Sequence, residues 1–158
     1  INLLTNKYWK GVVPEKFTLE ESDKKVLEKL SKYPKLIGEK IENFKFKDAL
    51  KEIMNLARLG NKYLADTEPW KLKKTNENRT RTIMYISLQI AASLSILSEP
   101  FLPFTSKKLK QILNLSNSSW DEARFENLSP GKKINKSQLL FSKVEDDVIE
   151  KQLQKLNI

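Results

Sequence analysis

The side chains best suited to chemistry crowd into one stretch, LGNKYLADTEPWKLKK, where Asn61, Tyr63, Pro69, Trp70, Lys71, Lys73 and Lys74 lie within sixteen residues. An indole held behind a proline offers a flat apolar face on a stiffened backbone, and stacking on an unpaired base is worth roughly 1–3 kcal/mol. Pro69 lowers the entropy lost on binding. Lys71, Lys73 and Lys74 stand ready to meet phosphates, contacts that position a nucleic acid without reading its bases. A structural reading competes on equal terms when residue types alone are weighed: a tryptophan at a helix end also folds back to plug a bundle.

Other chemistry is excluded by what the chain lacks. It has no cysteine and no histidine, so disulfide frameworks, zinc fingers and Cys- or His-based nucleophile systems are ruled out. No glycine-rich phosphate loop occurs. The acidic cluster VEDDVIE (Glu145, Asp146, Asp147 and Glu150) fits the first turn of a helix, where carboxylates complement the macrodipole, better than a divalent-metal site. The stretch TSKKLKQ reads as the polar face of a short helix. No catalytic residue, metal ligand or cofactor site is therefore expected in these 158 residues.

The elements that must position the aromatic turn are helical. Apolar residues recur at helical spacing: Leu19, Val26, Leu30, Tyr33, Ile37 and Ile41 form one face, with Thr18 expected to cap its start. A second face carries Phe46, Ala49, Leu50, Ile53, Met54, Ala57 and Leu64, and its helix should stop before Pro69. From about Asn78 to Ser98 apolar residues cover much of the circumference, the mark of a helix central to its bundle. Pro100 and Pro103 break the pattern. A short helix follows over about 105–113, then a turn-rich segment, an extended piece at LLFSKVE, and an amphipathic helix over about 145–156. The fold class is all-α, a helical bundle with an irregular segment before the last helix, forming one domain over residues 1–158. The opening INLLTNKYWKG reads as the tail of a helix that begins outside this sequence, so the chain is expected to be a fragment. No apolar run approaches the roughly 20 residues of a bilayer span, and no signal peptide opens the chain, which suits a cytoplasmic protein with no membrane partner. The net charge of +9 and pI near 9.6 favour an acidic partner such as nucleic acid; AT-rich codon bias yields the same lysine excess.

Read in order, these motifs resemble the anticodon-binding domain of bacterial-type methionyl-tRNA synthetases. Asn61, Tyr63, Pro69 and Trp70 match its Asn-x-Tyr…Pro-Trp pattern, Pro100 and Pro103 its P-x-x-P turn, and Trp120, Pro130, Gly131 and Ile134 its later loop. The run from Leu140 to Glu145 and the opening NKYWKGVVP are similar to family elements as well, so the resemblance covers almost the whole chain. It implies the anticodon-binding helical bundle of class I aminoacyl-tRNA synthetases, reading the CAU anticodon of methionine-specific and initiator tRNA, with Trp70 stacking on an anticodon base and Pro69 beside it. On the same resemblance Asn61 either joins them at the anticodon or braces the loop through hydrogen bonds to backbone, and Tyr63 packs. The family's Asn and Arg on the first bundle helix fall before Ile1. Its adenylation signatures (His-Ile-Gly-His-like and Lys-Met-Ser-Lys-Ser-like) are absent, which implies that the ATP and zinc sites of the parent methionine–tRNA ligase lie in a missing catalytic domain, a partner within the same chain. Two alternatives stand beside this one: the anticodon domain of another class I synthetase, and a lysine-rich helical protein-interaction domain.

Overall fold

The structure, a computed structural model, describes residues 1–116, 118–123, 126–141 and 143–156. Its framework is three long helices: α2 (Glu21–Glu42), α3 (Phe46–Thr67) and α5 (Glu77–Leu97), preceded by the short α1 (Asn2–Trp9). The single-turn α4 (Pro69–Leu72) links α3 to α5, and α6 (Pro103–Ile112), a 3₁₀ turn (Trp120–Glu122) and α7 (Asp146–Leu156) follow. The bundle class and the irregular stretch before the last helix agree with the sequence reading. No strand forms among the described residues; the described part of LLFSKVE lies in neither helix nor strand, and Ser142 within it lies outside the described residues.

Helix α5 is the axis. Ile83, Met84, Ile86, Leu88, Ile96 and Leu97 are buried, and so are Thr80, Thr82, Ser87, Gln89, Ser93 and Ser95 on the same helix. The polar groups are tolerated because they find partners: Ser87 Oγ donates to the Ile83 carbonyl at 2.8 Å and Ser95 Oγ to that of Ala92 at 2.7 Å. By length and composition α5 matches a bilayer span, contrary to the sequence expectation, yet 83% of that window is buried inside the bundle. Its apolar surface is satisfied by α2, α3 and α6.

Two helix-level expectations need correcting. Thr18 does not cap α2. Glu20 is the N-cap, its side chain accepting from the Asp23 N–H, while the Asp23 carboxylate accepts the Glu20 N–H at 2.9 Å. Carboxylates satisfy the orphan donors of the first turn as well as a hydroxyl does, and here they close the capping box from both ends. On α3 the buried face is Ala49, Ile53, Leu56, Gly60 and Tyr63, while Phe46, Leu50 and Met54 are exposed. Small residues steer that rotation: a Cβ on Gly60 would lie 3.1 Å from Ile90 Cγ2, so α3 and α5 approach where no side chain intervenes.

The irregular segment is stitched down rather than loose. Gly131, in the left-handed region at φ +82°, turns the chain so that its N–H reaches the Val13 carbonyl at 2.9 Å, and Ile134 N–H reaches that of Gly11 at 2.7 Å. Trp120 lies against Gly38 and donates Nε1–H to the Pro34 carbonyl at 3.1 Å. Gln89 clasps the Leu128 backbone in both directions, donating to its carbonyl at 2.7 Å and accepting its N–H at 3.0 Å. Replacing Gln89 by Leu strands a buried donor and acceptor, each worth about 1–3 kcal/mol. We expect a loss of about 2–6 kcal/mol in chemical denaturation, with hydrogen exchange at Leu128 accelerated ahead of the α2–α3 core. Helix α7 is exposed along its length, and Val148, Ile149 and Leu153 stay open to solvent.

Candidate nucleic-acid interface

Helix α3 ends at Thr67, whose Oγ1 donates to the Tyr63 carbonyl at 2.6 Å, and Glu68 then takes a left-handed conformation at φ +40°. A side chain at positive φ is uncommon, and it forces the sharp change of direction that proline accepts as the first residue of a new turn. Pro69 is buried and Trp70 is not: 46% of the indole residue is exposed. The expected loop tip is therefore one helical turn, closed by Lys71 N–H on Glu68 O at 2.9 Å and Asn76 N–H on Leu72 O at 2.8 Å. Asn76 caps α5 by accepting the Arg79 N–H at 3.0 Å, so the turn is bounded on both sides by helix ends.

The lysines differ in what they already hold. Lys71 pairs with Glu68 at 2.8 Å, while mostly exposed. Lys73 is only 23% exposed, pairs with Glu77 at 2.8 Å and lies 5.1 Å from the centre of the Trp9 ring. Arg81 approaches the same ring at 6.0 Å and bonds Glu77 at 3.2 Å. The expected trio of phosphate contacts is thus divided: Lys73 is committed to α1 and α5. Lys74 is exposed, with no ion pair among the described residues. Hydrogen bonds and charge from Lys73 and Arg81 hold the Glu77 carboxyl below its usual range. Asn61 is exposed on α3 and its side chain makes no hydrogen bond among the described residues, so its amide does not brace the turn.

A buried polar network not anticipated from the sequence ties α2 to the helices on either side of the turn. The Tyr63 hydroxyl donates to Asp23 Oδ1 at 2.7 Å, and Arg79 grips the same carboxylate with two nitrogens at 2.5 and 2.9 Å. Arg79 Nε also reaches Glu20 at 3.0 Å. Asp23 is fully buried and Arg79 is 9% exposed. Burial raises the Asp23 carboxyl, but the hydrogen bonds from Arg79, Tyr63 and the Glu20 N–H outweigh it and leave the group below its ordinary value. Burial, then the bond to Asp23, pushes the Tyr63 hydroxyl far up, so it remains a donor at any physiological pH. A signal for this network was present: in a chain whose cations are nearly all lysine, Arg79 supplies the planar fork that grips a carboxylate with two nitrogens.

Fold and turn together define an all-α bundle that presents a half-exposed tryptophan between two helix ends, with no group of three or more His, Cys, Asp or Glu side chains placed to hold a metal among the described residues. The family model described as "Anticodon binding domain of methionyl tRNA ligase" matches residues 13–157. The chain is 54% identical over 162 residues to the methionine–tRNA ligase of Christiangramia forsetii, covering 98% of this chain and 23% of that one. It is 51% identical over 155 residues to the Bacteroides fragilis ligase, again covering 98% and 23%. Among solved structures, the free methionyl-tRNA synthetase of Mycobacterium tuberculosis superposes with a TM-score of 0.84 at 21% identity, covering 90% of this chain and 30% of that one. The chain belongs to the family of methionyl-tRNA ligase anticodon-binding domains. It spans about a quarter of the length of those relatives, and the reading as a domain of another class I synthetase is set aside.

Proposed function

We propose that this chain binds the anticodon arm of methionine-specific and initiator tRNA, that Trp70 stacks on a base of the CAU anticodon, and that Lys71 and Lys74 contact its phosphates. The observation that carries this reading is the half-exposed indole on a turn bounded by two helix ends and seated on buried Pro69. An aromatic face held this way fits single-stranded loops, whose unstacked bases are recognised by stacking. Asn61, whose exposed side chain has no hydrogen-bond partner among the described residues, is assigned to the same face as a hydrogen-bonding group. We assign to the whole protein the ATP-dependent ligation of methionine to tRNA. The residues of this chain do not suit the adenylation step or a zinc site, since it has neither histidine nor cysteine, and those functions are placed in the remainder of the protein.

The test is binding of unmodified anticodon stem-loops to the full-length protein across a salt series. Affinity should fall linearly with salt on logarithmic axes, and CAU should be preferred over stem-loops altered at one anticodon base. A weak, salt-insensitive interaction would favour a protein-interaction domain instead. Neutralising Lys71 and Lys74 together (Lys71→Gln, Lys74→Gln) should flatten the slope by up to about 2 while leaving the CAU preference unchanged. Neutralising Lys73 should flatten it less and lower the melting temperature, because its charge already serves Glu77 and Trp9.

A further inference from the structure

We infer that Asp23, acting through Tyr63 and Arg79, is a positioning residue for anticodon recognition: a single buried carboxylate on α2 pins both ends of the segment that presents Trp70. The inference rests on the stacking reading given above. The segment runs from Glu68 to Asn76. Tyr63 lies one turn before it on α3, and Arg79 lies three residues after it on α5. Both meet at Asp23, 40 residues from one and 56 from the other along the chain.

Buried ion pairs are weak arguments for stability, because desolvation offsets most of the Coulombic attraction. What such a network supplies is direction. The guanidinium fork fixes the angle at which α5 leaves the turn, and the phenol fixes where α3 enters it. Asp23 itself is oriented by the Glu20 N–H at 2.9 Å, so the first turn of α2 is the reference frame for the others. The turn has anchors of its own in buried Pro69, in Leu72 packed against the core and in Lys73 held by Glu77 and Trp9, while the Lys71–Glu68 pair is exposed. These hold the turn down, and the direction in which it presents its ring depends as well on what holds its two ends. Displacing a recognising group by about 1 Å is enough to cost on the order of 10²-fold.

The test uses the full-length protein and two substitutions that alter the network without emptying space: Tyr63→Phe, which removes one hydroxyl, and Asp23→Asn, which removes the charge. The readout is the ratio of kcat/KM for methionylation of a CAU transcript to that of a transcript altered at one anticodon base, measured below the melting transition of each variant. Tyr63→Phe should reduce this preference about five-fold, the equivalent of one hydrogen bond of about 1 kcal/mol. Asp23→Asn should reduce it by up to about 10²-fold. In a Trp70→Ala background neither substitution should reduce it further, since non-additivity marks residues that act as one unit. A lowered melting temperature with equal losses on both transcripts would show a merely structural role and overturn the inference. So would losses that multiply with that of Trp70→Ala. If Asp23→Asn does not fold, Tyr63→Phe carries the test alone. If Trp70→Ala by itself leaves the preference intact, the stacking reading falls and this inference falls with it. If Trp70→Ala abolishes the preference while both network variants retain it, only the inference falls.

Discussion

Replacing Trp70 by alanine should weaken the use of methionine tRNA by about 1–3 kcal/mol, the scale of one lost stack, while leaving the fold almost intact. Truncating a fully buried tryptophan costs about 3–5 kcal/mol. With 46% of the residue exposed, and its anchoring supplied by Pro69 and the flanking helix ends, the stability loss should be closer to about 1 kcal/mol. Aminoacylation kinetics and thermal unfolding on the same variant separate the two quantities. Activation of methionine in the absence of tRNA, assigned to another part of the protein, should not change. A large fall in melting temperature accompanied by normal tRNA use would make the ring a structural plug.

The second large effect concerns stability. Arg79→Leu should destabilise the bundle by about 3–5 kcal/mol near pH 7, the cost of leaving a buried carboxylate without its cation. The pH dependence identifies the cause. In the folded protein the Asp23 carboxyl is held below its ordinary value of 3.8, so its contribution is fully present above that value. It is lost as pH falls through the lower folded value. The variant lacks most of that contribution at any pH. The gap between the two proteins should therefore narrow as pH is lowered from 7 towards 3, as read from denaturant midpoints at each pH. A gap that stayed constant would assign the loss to packing of the arginine stem. Replacing Asp23 and Arg79 together by leucines should cost less than the sum of the single changes, because neither charge is then left alone.

How far these features could be read beforehand depended on the range of the forces involved. The central place of α5 was legible because its apolar residues exceed one face, and burial follows from that excess alone. The stop before Pro69 was legible because proline restricts its neighbour locally. The inward face of α3 was legible only in part, through Ala49 and Ile53. Phe46, Leu50 and Met54 form a better apolar stripe than the true one, and Gly60, which decides where α5 comes close, carries no hydrophobic signal. Thr18 lost the cap of α2 to the reciprocal Glu20–Asp23 capping box, and the further partners of Asp23, 40 and 56 positions away, left no local signal. The Pro-Trp turn stood out by composition, yet the different fates of Lys71, Lys73 and Lys74 depend on Trp9 and Glu77, and spacing along the chain did not reveal that Trp9 would lie beside them.

The separation between Asp23 and Arg79 also sets a clock. Synthesis at about 5–20 residues per second leaves the Asp23 carboxylate without its guanidinium for about 3–11 s, since 56 residues must be added before Arg79 exists. During that interval α2 and α3 can already pair through Leu30, Ile37, Ile53 and Leu56, but the angle at the Pro-Trp turn has nothing to fix it. The α2–α3 hairpin is thus free to form early, and the Pro-Trp turn gains its second fixed end only when α5 arrives and closes the network.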